Sequence, residues 1–226
     1  MKRTQWSLCF ALVALALAST VAFADSFSTV AFDNATVQPI GPRPGPNGKN
    51  FYNAEGNNNL DFASFAPADF DSTMLVDQNG NPISYAVGSV NSVTLILTQA
   101  NAAFSHDGAI SFYVSEDTTT SIQPDDVNPA VTYDATSLPD GIGSQLTPIH
   151  VLGGGNYVQG MSGDADTFSF TPDDATSAYL ANAINNGGTI RVVVSPGDLD
   201  VSATYAGFSN DTYTGPMLIL DVNPAQ

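Results

Sequence analysis

Apolar and polar residues alternate at every second position in run after run of this chain, and that period ties it to extended strands. AISFYVSE, Ala109 to Glu116, is the cleanest case: Ile110, Phe112 and Val114 fall on one side, Ser111, Tyr113 and Ser115 on the other. SFSTVAF, DTFSFTP, TIRVVVSP, VSATYAGF and PMLILDV read as further strands. SVNSVTLILTQA sets Val90, Thr94, Ile96 and Thr98 against Val93, Leu95 and Leu97, so both of its faces are expected to be partly covered. LDFASFAPADFD puts Leu60, Phe62 and Ser64 on one side, with a break at Pro67. Turn residues punctuate the runs, as in DQNGNP (Asp77 to Pro82) and LPDGIG (Leu138 to Gly143). Many short strands joined by such turns predict an all-β fold, a single β-sandwich.

One stretch breaks the period. TPDDATSAYLANAINNGG predicts a short helix near residues 172–186. Thr171 is its expected N-cap, Pro172 its first residue, and Thr171 with Asp174 resembles a capping box. Leu180, Ala183 and Ile184 form a narrow apolar stripe, and Asn186, Gly187 and Gly188 end it. TIRVVVSP follows at once, which places the helix at the edge of the sandwich. QPIGPRPGPNGKN, Gln38 to Asn50, is too rich in Pro and Gly for helix or regular strand and reads as an exposed loop.

The N-terminus carries a different signal. Lys2 and Arg3 precede an apolar run from Trp6 to Val21, and Ala22-Phe23-Ala24 closes it with a small-x-small site. That layout predicts a secretory signal peptide over residues 1–24, cleavage after Ala24, and one domain over residues 25–226. The expected location is secreted, periplasmic or on the cell surface. Cleavage removes Cys9 and Trp6, the only cysteine and tryptophan, so the exported chain has no disulfide. It also leaves three basic residues, Arg43, Lys49 and Arg191, against 22 acidic ones, a formal charge of −19. Such a surface repels phosphate backbones and anionic lipid, which argues against nucleic acid as a partner. No second long apolar run follows the leader, so no transmembrane helix is expected.

The order of a helix, NNGGTIRVVVSPGD, and VSATYAGFSNDTYTGPMLIL resembles the last third of jelly-roll-like β-sandwich domains in exported bacterial proteins. These are DNRLRE-type domains and their relatives in proteins that often carry a PEP-CTERM sorting tail. GPRPGPNGKNFYNAEGNNNLDFASFAPADF and ANAAFSHDGAISFYVSEDTTTSI are similar to loops and strands of the same proteins. The resemblance implies a jelly-roll-like extracellular or surface module with no known reaction. It departs from the pattern at the end, where NPAQ follows Val222 without a sorting tail.

Chemistry is sparse. His106 and His150 are the only histidines, neither lies in a nucleophile–base motif, and there is no G-x-S-x-G turn. His106-Asp107-Gly108 reads as a tight turn, and His150 as a residue on a short strand. GGGNYVQG, Gly153 to Gly160, lacks the lysine and the strand-to-helix setting of a phosphate loop and reads as a hairpin turn. Carboxylates are too many for any pair to single out a glycosidase. Calcium is the one ion that the composition suits: Asp77, Asn79 and Asn81 alternate around Gly80, and Asp164 and Asp166 recur in GDADTF. Neither stretch completes a ligand loop, and both read first as turns bonded to their own backbone. Tyr113, Tyr157, Tyr179, Tyr205 and Tyr213 could stack on sugars, although strand tyrosines more often lie half-buried with the hydroxyl in water. The expected function is therefore an exported, acidic, non-catalytic structural or adhesion-type module with a surface polysaccharide or protein partner. The alternatives are a calcium-assisted carbohydrate-binding module and, behind it, an acidic secreted hydrolase.

Overall fold

Ile110, Phe112 and Val114 all point into one apolar core, as their alternation requires. The structure, a computed structural model, describes residues 24–124 and 130–226; the leader expected over residues 1–24 lies outside the described residues apart from Ala24. The strands are β1 (Asp25–Val30), β2 (Asp33–Asn34), β3 (Val37–Gln38), β4 (Gly41–Pro42), β5 (Phe51–Glu55), β6 (Ala66–Asp71) and β7 (Val87–Thr98). They continue with β8 (Gly108–Ser115), β9 (Ile149–Tyr157), β10 (Ala165–Phe170), β11 (Thr189–Pro196), β12 (Ser202–Ala206) and β13 (Met217–Pro224). Two helices interrupt them, α1 (Pro46–Asn50) and α2 (Asp174–Asn185).

The fold is an all-β sandwich. One sheet has the order β1-β13-β7-β10, the facing sheet β2-β6-β11-β8-β9, and two-stranded ladders β12-β5 and β3-β4 complete it. Every named pair is antiparallel. From β6 onward the chain crosses repeatedly between the sheets. The core between them is made by Phe70 of β6, Phe112 of β8, Val192 of β11, Leu95 of β7 and Leu220 of β13, with their neighbours on the same faces. Among the described residues, no helix is long and apolar enough to cross a membrane.

The five-stranded sheet is covered on its outer face as well. Ala35, Val37, Phe65 and Val193 pack there against Ile122, Val131 and Leu146 from the long connection between β8 and β9. Burial on both faces explains the unbroken apolar run Val192–Val193–Val194 in β11. Arg191 fixes the same connection. Its guanidinium, 2 % exposed, donates to both carboxylate oxygens of Asp69 on β6 at 2.7 and 2.8 Å. Its remaining donors reach the carbonyls of Asp117 and Thr120 at 2.9 and 3.0 Å.

Several local expectations are corrected. β7 does not alternate strictly: Ser92 pairs with Asp221 and Val90 with Val222, so Asn91 is an extra residue. That bulge turns Val90 to the core side with Val93, while Thr94, Ile96 and Thr98 stay half-exposed. Pro67 does not end its strand but lies within β6, opposite Val193. The stretch before it, Asn57–Phe62, is a 3-10 helix and no strand. The Pro/Gly-rich loop holds the short helix α1 and the small ladder β3-β4.

Helix α2 begins two residues later than its Pro suggests. Asp173, not Thr171, is the N-cap; its carboxylate accepts from the Thr176 N–H at 2.8 Å. Asp173 takes the cap because its carboxylate reaches the N–H three residues on, and Pro172 stands before the helix. Gly187, at φ +62°, ends the helix as expected.

GGGNYVQG is not a hairpin turn. Gly153, Gly154 and Gly155 run inside β9, paired with β8. A Cβ on Gly155 would stand 2.7 Å from the Phe168 ring, and one on Gly153 2.8 Å from the Phe170 ring. The glycines let both rings of β10 lie over β9 and reach Phe112, with centroid separations of 4.6 and 4.9 Å. Their role is close packing.

Candidate functional site

Two strands outside the main sheets carry the most distinctive surface of the molecule. β5 reads Phe51-Tyr52-Asn53-Ala54-Glu55 and β12 reads Ser202-Ala203-Thr204-Tyr205-Ala206. Alternation sends Tyr52, Ala54, Ala203 and Tyr205 into the core. The polar residues between them share the opposite face. The register sets Asn53 against Thr204 and Glu55 against Ser202, which makes a two-by-two polar array. This array is the floor of a groove of about 480 Å³.

Loops on both sides raise the walls. The segment before β6 is pinned to β5 by reciprocal backbone bonds between Glu55 and Ser64, and it carries Phe62 at 58 % exposure. On the other side the chain after β7 runs along β12: Ala100 N–H donates to Thr204 C=O, and His106 and Ser202 exchange backbone bonds at 2.9 and 3.0 Å. Asn101, in the left-handed region at φ 54°, starts the turn Ala102–Phe104 that projects from this segment. Phe104 stands at its tip, 75 % exposed, and Ser202 Oγ holds its carbonyl at 3.1 Å. Arg43 and His106 complete the lining.

The floor holds one buried polar atom without a partner. Asn53, 5 % exposed, donates to Glu55 Oε1 at 3.0 Å, but its Oδ1 has no partner. An unsatisfied buried acceptor costs on the order of 1–3 kcal/mol. Burial raises the Glu55 carboxyl above its ordinary value, more than Asn53, Ser202 and the Arg43 charge lower it. The Ser202 hydroxyl donates to the Phe104 carbonyl. Glu55 is the one carboxylate in the lining.

Another hollow has its polar groups engaged. It has a volume of about 740 Å³, opens beside Ala24 and is lined by Asp25, Asp77, Asn81 and Tyr85 among others. There Tyr85 donates to Asp25 at 2.6 Å. Asp77 is occupied by the Asn79 and Asn81 N–H groups, both at 2.8 Å, and by the Asn81 amide at 3.0 Å. Hydrogen bonds from Asn81 above all hold the Asp77 carboxyl below its usual value.

The remaining candidates are scattered. Asp164 accepts the Met161 N–H at 2.8 Å. Asp166 accepts from Gln99 and from the Tyr205 hydroxyl at 3.0 Å, and burial raises its carboxyl. Among the described residues, no group of three His, Cys, Asp or Glu is arranged to hold a metal ion. His150 Nε2 lies 2.8 Å from Glu116 Oε1 and its ring stacks on Tyr179, 5.6 Å between centroids. His106 sits on the groove lip, with Nδ1 2.9 Å from the Asp107 carbonyl.

The tyrosines do not form an exposed face. Tyr157 and Tyr205 are wholly buried, their hydroxyls turned to Gln99 and Asp166 and not to water. Tyr113, Tyr179 and Tyr213 are half-buried. The exposed rings are phenylalanines, and two of them line the groove. The strand reading of VSATYAGF already contained Ser202 and Thr204, but their pairing with Asn53 and Glu55 spans a separation that no local pattern announces. Compared with known proteins, the chain matches no family model and no curated sequence.

Proposed function

We propose that this protein is an exported, acidic β-sandwich module of the surface or adhesion type, which works by binding and not by catalysis. The observation that carries this reading is the β5-β12 groove. Two exposed phenylalanines stand over a polar floor of Asn53, Glu55, Ser202 and Thr204. Exposed aromatic area beside convergent polar groups is how a ligand site differs from ordinary surface. Export rests on the leader layout of residues 1–24, and the likeness to exported bacterial jelly-roll-like domains, DNRLRE-type and relatives, belongs to the same proposal.

A glycosidase needs two facing carboxylates, and Glu55 has no second one in the groove. The calcium-assisted variant of the reading has less support. None of Asp77, Asn79, Asn81, Asp164 or Asp166 lines the groove, and the aspartates among them already accept hydrogen bonds from the protein itself.

The test is retention of residues 25–226 on immobilised polysaccharides and matrix proteins, compared with a Phe62→Ala/Phe104→Ala double variant. We expect the protein to be retained on at least one surface and the variant to lose at least tenfold. Equal retention of both would place the binding surface elsewhere.

A further inference from the structure

We infer that the occupant of the β5-β12 groove is a neutral sugar unit of a glycan, an inference that rests on the groove being the binding surface. Three features select this chemistry. The first is the hydrogen-bonding sense of the lining. Glu55 keeps one carboxylate oxygen beyond the Asn53 contact, and Arg43, Asn101 and Thr204 in the same lining bring donors. A lining that both accepts and donates is matched by hydroxyls, which do the same, and neighbouring ring hydroxyls present several within a few ångströms.

The second feature is that the floor is the face of a ladder. β5 and β12 bond to each other across Asn53↔Thr204 and Glu55↔Ser202, so side chains and not free backbone meet the ligand. A peptide laid on this face finds no open strand edge to extend, which removes the main-chain bonds by which extended peptides are usually captured.

The third feature is charge. The chain as a whole is at −17, which repels polyanions. Within the groove the Arg43 charge acts on Glu55 and opposes entry of a cation. A neutral ligand is penalised by neither. Phe62 and Phe104 then supply ring faces for the apolar C–H face of a pyranose, a role in which flat aromatic area is fixed before binding.

The experiment titrates residues 25–226 with three sets of probes in parallel: neutral gluco-, manno-, galacto- and xylo-oligosaccharides; uronate and sulfated oligosaccharides; and Lys-rich and Pro-rich peptides. Binding is read by calorimetry and by amide shifts of β5 and β12, for the wild type, Phe104→Ala, Phe104→Tyr and Phe62→Ala. Phe104 is exposed enough to be truncated without disturbing the core, and a melting curve of each variant checks this.

The expected result is a neutral oligosaccharide whose affinity falls at least tenfold in Phe104→Ala and is kept within threefold in Phe104→Tyr. An anionic glycan or a peptide that binds best, with the same Phe104 dependence, overturns the sugar class and leaves the groove reading standing. Neutral sugar bound with no effect of either phenylalanine, and no shifts in β5 or β12, overturns the groove reading. No binding in any arm overturns both.

Discussion

Asn185 near the end of α2 and Val87 at the start of β7 exchange two hydrogen bonds: the Val87 N–H donates to Asn185 Oδ1 at 2.8 Å, and the Asn185 amide donates to the Val87 carbonyl at 2.9 Å. Two turns earlier Ser177 does the same for Val90, with both distances 2.9 Å. β10 pairs with β7 only over Val93–Thr98, so the first residues of β7 lack a strand on that side. Helix side chains take the place of the missing strand and close a sheet edge that would otherwise invite another chain.

Asn185→Ala therefore exposes two backbone groups of Val87 at once. We expect a loss of about 1–3 kcal/mol in urea unfolding. Protection of the Val87 amide against hydrogen exchange should fall by more than that of amides in β8. An unchanged midpoint with Val87 still protected would mean that water serves the edge as well as the helix does.

The two glycines that face rings differ from the one between them. Gly155→Ala places a Cβ against Phe168, whereas one on Gly154 meets nothing closer than the Ile110 carbonyl at 3.6 Å. We expect Gly155→Ala to cost about 1–3 kcal/mol by overpacking and Gly154→Ala to be nearly neutral. Equal effects in thermal melts would show that β9 packs more loosely than its geometry implies.

Asp69 and Arg191 form a buried bidentate pair, and either one alone is a stranded charge. Arg191→Met or Asp69→Ala should cost about 3–5 kcal/mol, more than an apolar replacement of both together. A double-mutant cycle measures this. Arg191→Met should also loosen the connection over the outer face, seen as faster proteolysis between residues 116 and 148. Additive single effects would refute the coupling.

Acid should act in two opposed limbs. The Glu55 carboxyl is raised by burial, so the folded state binds the proton first. Stability from this group is fully present below its ordinary value of 4.5 and is lost as pH rises through the higher folded value. For Asp117, burial pushes the carboxyl up, but hydrogen bonds from Thr120 and Thr119 outweigh it and hold it at about 2. Stability from Asp117 is present above its ordinary 3.8 and is lost as pH falls toward 2. Urea midpoints from pH 7 to 2 should flatten at the upper limb in Glu55→Gln and at the lower limb in Asp117→Asn. Limbs that stay unmoved in both variants would assign the pH dependence to other groups.

Calcium should stabilise no more than matched ionic strength, because Asp77 and Asp164 already serve their own turns. Melts in chelator, calcium, magnesium and sodium chloride test this. A gain specific to calcium, removed by Asp77→Ala or Asp164→Ala, would bring the calcium-assisted reading back.

Local pattern carried the strands wherever one face was buried and the other wet, as in β8, but it did not carry the double burial of β11. It failed where a tertiary neighbour set the outcome. The bulge at Asn91 depends on β13, and the strand conformation of Gly153–Gly155 depends on rings from β10. The pairing of Asp69 with Arg191 joins residues 122 apart. The groove stayed hidden for the same reason: FYNAE is a five-residue alternation of ordinary polarity, and only β12 beside it turns Asn53 and Glu55 into a floor. The phenylalanines above it end 3-10 turns, where the alternation that placed Phe62 on a strand does not apply.

The two-by-two array has a consequence for how such a module can diversify. Residues 53, 55, 202 and 204 line the groove while their immediate neighbours 52, 54, 203 and 205 belong to the hydrophobic core. Exchanges at these four positions therefore alter the groove before they reach the hydrophobic interior. The turn bearing Phe104 is tied to the array through Ser202 Oγ, whereas the one bearing Phe62 lies outside it. The same separation makes the β5-β12 face a place to install new recognition by directed evolution, with folding and binding screened as separable traits.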